Sequence, residues 1–100
     1  MSLRFNRNVA PSWNGRQSRI EFVCEDPRTR SSVRCAVSRA ALEDVNGVES
    51  LDGDRCLAVV GRRLARILEA AESVYSAGRL DHGIVLVDSD DLLTSQPVYH

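Results

Sequence analysis

The 100-residue sequence predicts an α+β fold. It is a two-layer arrangement, β-β-β-α-α-β, in which a mostly antiparallel sheet of about four strands carries a short and a long helix on one face. Three observations predict it. Arg19–Glu25 and Val33–Val37 alternate apolar and polar residues with period two. From Ser38 to Gly78 the apolar residues shift to three- and four-residue steps. Beyond Gly78 and Gly83 a continuous apolar run, Ile84–Val87, supplies a last strand.

Each element has a local reason. Leu3 and Phe5 alternate with polar neighbours and predict a short first strand, while Pro11, Trp13 and Asn14-Gly15 make 6–18 a loop with one aromatic anchor. Ile20, Phe22 and Cys24 share one face, as do Val33, Cys35 and Val37, and Pro27 fixes φ in the turn between them. The two strands form a hairpin with one face toward the core. Ser38 is the expected N-cap of a short helix ended by Asn46-Gly47. Asp54 is the expected N-cap of the long helix, whose buried stripe is Leu57, Val60, Leu64, Ile67, Ala71 and Val74. Gly61 within that helix costs ~1 kcal/mol relative to Ala, and close packing is the expected reason. Gly78 stops the helix. The unbroken run at Ile84–Val87 predicts a central or doubly covered strand. Asp90–Leu93 forms one helical turn capped by Ser89 or Asp88. One domain is expected over 1–93, with a flexible tail at 94–100.

Bulk composition bounds the function. With 43% hydrophobic residues the chain suits one globular core. A chain of this size buries roughly 60–70% of its extended surface, so it needs neither metal nor disulfide to fold, and no cofactor is expected. The formal charge of -1 hides an asymmetry. Residues 1–40 hold eight arginines against three acids, a balance of +5, and residues 41–100 hold five against eleven, a balance of -6. All 13 basic residues are arginine, which Arg-favouring codon composition accounts for. A pI of 6.1 argues against a nucleic-acid partner, since such domains usually exceed about 9. The N-terminal segment lacks a signal-peptide run, and no stretch approaches the ~20 apolar residues of a membrane span. Three cysteines without C-x-x-C spacing fit a reducing compartment, so a cytoplasmic protein is expected.

The sites of possible chemistry are few. A strand ending in Asp88-x-Asp90 resembles the opening of haloacid-dehalogenase-type phosphotransferases, in which the first Asp is the nucleophile and the second handles the leaving-group proton. That motif opens a parallel α/β domain, whereas only ten residues follow Asp90. Carboxylates at a helix N-terminus are the better reading. A calcium loop fails, because its fifth position is Leu92. Cys24 and Cys35 read as cross-strand core neighbours, whereas Cys56 lies where the positive end of the long helix would lower its pKa. His82 in a turn and His100 at the end are poorly placed as bases. Arg55, Arg62, Arg63 and Arg66 form either an anion-binding ridge or a solvated face with Glu69. Helices on one face leave Val23 and one side of Ile84–Val87 pointing the other way, a surface suited to a homo-oligomer or a protein partner.

Four segments resemble the small bacterial proteins of the domain-of-unknown-function family 1488. They are Phe5 followed by Trp13, the IEF strand at Ile20–Phe22, VRCAVSRAAL from Val33 to Leu42, and AESVYSAGRL…GIVLV…DL from Ala71 to Leu92. The resemblance implies a stand-alone α+β protein with no assigned reaction, and a core role for Cys35 and Tyr75. The chain departs from the pattern at Val59-Val60, where an aromatic often opens the long helix. The function expected is that of a non-catalytic binding or regulatory accessory acting through protein contact. The alternative is a small enzyme, or an anion- or nucleic-acid-binding protein, using Arg55, Arg62 and Arg66 or Cys56.

Overall fold

The computed structural model describes residues 3–47 and 49–94. Its open sheet holds β1 (Arg4–Phe5), β2 (Ser12–Asn14), β3 (Arg19–Asp26), β4 (Ser31–Ser38) and β5 (Val85–Val87). β3 and β4 are the predicted hairpin, antiparallel from Arg19↔Ser38 to Asp26↔Ser31. β1 and β2 share the outer edge of β3, and β5 lies parallel to β4 on the other side. The class is therefore the predicted one, with a mixed sheet and one strand more than expected. That strand, β2, lies inside the segment read as a loop; three residues are too few to display an alternation. The predicted neighbourhood of Cys24 and Cys35 is diagonal, since Cys24 pairs with Val33 and Phe22 with Cys35.

Four helices follow: α1 (Arg39–Asn46), α2 (Gly53–Arg62), α3 (Leu64–Ser76) and α4 (Ser89–Thr94). Ser38 caps α1 as predicted, its hydroxyl accepting from the Ala41 N–H at 3.1 Å. The α2 cap is Asp52 rather than Asp54, and it accepts from the Arg55 N–H at 2.8 Å. The single long helix of the sequence reading divides at Arg63, whose φ -112° and ψ 19° leave helical geometry. The hydrogen bonds Arg63 N–H to Val59 O and Ile67 N–H to Arg63 O continue across it, so the division is a kink. Gly61 precedes the kink, and a Cβ there would meet nothing within 4 Å, so close packing is not its reason. Gly78 (φ 71°) ends α3 in a Schellman turn, with its own N–H on Tyr75 O and the Arg79 N–H on Val74 O.

The helices cover the sheet face formed by Ile20, Phe22, Cys24, Val33, Cys35, Val37, Val85 and Val87, and bury Leu42, Val59, Val60, Ile67, Ala71 and Val74 against it. Phe5 lies at the edge of this core, 6.3 Å from the Phe22 ring. Burying Phe22 in place of exposing it contributes about 2–3 kcal/mol. β5 is an edge strand among the described residues, which corrects the central alternative of the predicted central or doubly covered position. Its apolar run is unbroken because Val85 and Val87 enter the core while Leu86 lies half-buried on the opposite face. Of the expected tail, 95–100 lies outside the described residues.

Candidate interaction surface

The pairing register determines what the uncovered sheet face presents. Side chains alternate across a strand, so with Phe22, Cys24 and Cys35 inward, Glu21, Val23, Glu25 and Arg34 point outward. Cross-strand neighbours on this face are Glu21 and Ala36, Val23 and Arg34, then Glu25 and Ser32. Ala36 in turn lies beside Leu86, Glu21 beside Ser12, and Glu25 beside Arg4. Residues between β1 and β2 loop over the edge, so that Val9 and Ala10 share with Val23, Arg34 and Ile84 a depression of about 150 Å³. Val9 is 42% exposed. Val23, Ile84 and Leu86 are half-buried. Val9, Val23, Ile84 and Leu86 thus place apolar surface on this face, while Ala36, between Glu21 and Leu86, is fully buried.

Charges rim this surface unequally. Arg19 is 8% exposed, and its Nε and a terminal nitrogen reach Glu21 Oε2 at 3.0 and 2.9 Å. Asn14 Nδ2 donates to the same oxygen at 3.1 Å. The Asn14 bond and then the Arg19 bond hold the Glu21 carboxyl below the usual range, with a smaller pull from Arg34. Arg34 and Glu25 are exposed, and neither makes a side-chain ion pair among the described residues. Sequence reasoning singled out Val23 and missed Arg34. The outward phase of the 33–37 alternation was the signal for it.

The other candidates fall elsewhere. Arg55 lies 4.0 Å from Asp52, beside the α2 cap, with 71% of its side chain exposed. Arg62 and Arg63 are exposed around the kink. Arg66 turns to α4 and donates to Leu92 O at 3.3 Å. Cys56 is fully buried, and burial followed by the Glu43 charge pushes its thiol up, opposite to the helix-terminus expectation. The neighbouring Cys24 thiol, together with burial, pushes the Cys35 thiol well up. Cys35 Sγ also donates to Val33 O at 3.6 Å.

Of the aspartates after β5, Asp91 reaches back over the start of α4. Asp91 Oδ2 accepts from the Asp88 N–H at 3.0 Å, and its other oxygen accepts from Arg79 at 2.8 Å. His82 stands on the surface beside Asp81 at 2.9 Å, and His100 lies outside the described residues. A basin of about 820 Å³ is bordered by Arg39, Glu43, Asp44, Glu49 and Asp52. Two of its carboxylates serve the fold: Glu43 Oε2 accepts from the Leu51 N–H at 2.9 Å, and Asp52 caps α2. Among the described residues no group of three or more His, Cys, Asp or Glu could hold a metal. No described helix is long and apolar enough to cross a membrane.

One helix-covered face and one uncovered face on an open mixed sheet define a two-layer α+β protein. Within that class it is similar to the crystal structure of a protein of unknown function, of the domain-of-unknown-function family 1488, from Shewanella loihica PV-4. The two share 20% identity with a TM-score of 0.74, over 86% of this chain and 91% of the other. The resemblance carried by Phe5, Trp13 and the later segments is thus matched by a common fold. No protein-family model and no curated protein matches the sequence.

Proposed function

We propose that this protein is a cytoplasmic member of family 1488 and a non-catalytic binding or regulatory accessory, working by protein–protein contact through its uncovered sheet face. One observation carries the reading. Val9, Val23, Ile84 and Leu86 place apolar surface on that face, with the exposed charges of Arg34 and Glu25 beside it. Apolar surface bordered by charge is the usual make-up of a contact site. The three thiols lie in the core, and the Asp91 side chain is taken up by the Asp88 N–H and Arg79 at the start of α4.

The test is site-specific photo-crosslinking in cells, with p-benzoylphenylalanine at Ser32 on the uncovered face and at Ser73 on the exposed side of α3. A discrete protein adduct from Ser32 and none from Ser73 is expected. Adducts from Ser73 alone, or from neither position, overturn the reading.

A further inference from the structure

We infer that the occupant of the uncovered face is a second copy of this chain, docked about a two-fold axis that runs parallel to the strands between β3 and β4. This rests on the reading of that face as a contact surface. Two sheets meeting face to face under two-fold symmetry have their axis in the plane between them. An axis along the strands places each cross-strand row of one sheet over the same row of the other, with β3 over β4. Val23 and Arg34 form one such row. Arg34 therefore lies over Val23 of the second copy, with Glu21 and Glu25 of that copy on either side, two residues away in each direction along β3.

Within one chain Arg34 has no ion-pair partner among the described residues, and Glu25 has none either. The two-fold supplies both, twice. The same axis brings the β5 side, with Ile84 and Leu86, over the Val9 and Ala10 side of the other copy, so apolar surface meets apolar surface. An axis across the strands through the Val23–Arg34 row would stack Arg34 on itself, a like-charge contact that disfavours the alternative. A net charge of -1 per chain leaves little long-range repulsion between copies.

The footprint sets the strength. β3 and β4 with eight residues each, β1 and β2 with five together and β5 with three, at ~4.8 Å spacing and ~3.4 Å rise, cover roughly 390 Å² per copy. A standard stable interface buries about 800 Å² per partner. A footprint this small places dimerisation in the weak, concentration-dependent range.

Sedimentation equilibrium from about 10 μM to 1 mM tests this range. The expected result is a mass rising from one chain toward two, less readily at high salt. Arg34→Glu and Glu25→Arg each raise the dissociation constant, Arg34→Glu by about tenfold. The double variant associates more tightly than Arg34→Glu alone, because residue 34 again faces an opposite charge. A single-chain mass throughout, or a dimer indifferent to Arg34→Glu, overturns the inference. Circular dichroism confirms that each variant is folded, as exposed positions 25 and 34 allow. The Ser32 crosslink separates the two claims. An adduct of twice the chain mass supports the second copy, and an adduct to a different protein overturns it while upholding the contact surface. No adduct at all overturns both.

Discussion

The Tyr75 hydroxyl donates to Asp26 Oδ2 at 2.8 Å, joining the end of α3 to the end of β3. The other carboxylate oxygen of Asp26 accepts from the Arg28 N–H at 2.9 Å, and its carbonyl accepts from the Arg30 N–H at 2.7 Å. One buried aspartate thus organises the β3–β4 turn and anchors a helix that lies far along the chain.

This bond makes stability depend on pH at both extremes. The Tyr75 hydroxyl, followed by the Arg28 N–H, holds the Asp26 carboxyl below its ordinary value. Asp26 in turn pushes the Tyr75 phenol up. The Asp26 contribution is present above the unfolded carboxylate value of about 4 and is lost as pH falls through the lower folded value. The Tyr75 contribution is present below about pH 10 and is lost as pH rises through the higher folded value. Tyr75→Phe is expected to lower the neutral-pH Tm by several degrees and to shrink the difference from the parent protein at both extremes. Thermal melts across about pH 2 to 11 check this.

Two glycines are expected to respond to Ala with opposite sign. A Cβ at Gly53 would stand 2.8 Å from two atoms of the Trp13 ring, so Gly53→Ala destabilises despite its better helix propensity. At Gly61 the space is open, and Ala stabilises by up to ~1 kcal/mol. Denaturant melts measure both changes. In a Trp13→Leu background the Gly53→Ala penalty should shrink, which a double-mutant cycle reads out.

The α2 cap gives a sharper discrimination. Asp52→Ala is expected to cost about 1 kcal/mol, whereas Asp54→Ala, inside the first turn, changes stability by no more than ~0.5 kcal/mol. Ser38→Ala should match Asp52→Ala, since its hydroxyl caps α1 in the same way. Urea-midpoint shifts at constant slope are the measurement.

All three cysteines are buried. At neutral pH each should react with a water-soluble disulfide reagent at least ~100-fold more slowly than in the denatured chain, because modification waits for local opening. The rate should rise in proportion as denaturant lowers stability. A Cys56 that labels at the denatured-state rate without denaturant would contradict its place in the core.

The parts of the fold legible in the sequence were those with local causes. The β3–β4 hairpin followed from an alternation long enough to count, and the ends of α1 and α3 from Ser38, Gly47 and Gly78. What escaped had causes distant in sequence. β2 is extended because Ser12–Asn14 lie along Arg19–Glu21, and the Gly53 requirement comes from Trp13. Asp52 and Asp54 are chemically equal caps, and only the chain direction after Leu51 selects between them. Val23 was legible as outward-facing. The pairing of Val23 with Arg34 and of Glu25 with Ser32 needed the hairpin register, which the turn at 27–30 sets and the alternation alone does not.

The parallel pairing of β4 and β5 has a kinetic consequence. β3 and β4 are joined by a short turn and can associate early, but Cys35 meets Val85 only after the three intervening helices have formed and docked. Closing so large a loop is slow. Until it closes, the β5 side of β4 offers unpaired backbone amides to any neighbouring chain. Refolding yield should therefore fall as protein concentration rises, with the hairpin protected from hydrogen exchange before Val85–Val87. The last strand to arrive is the one that covers the open side of β4.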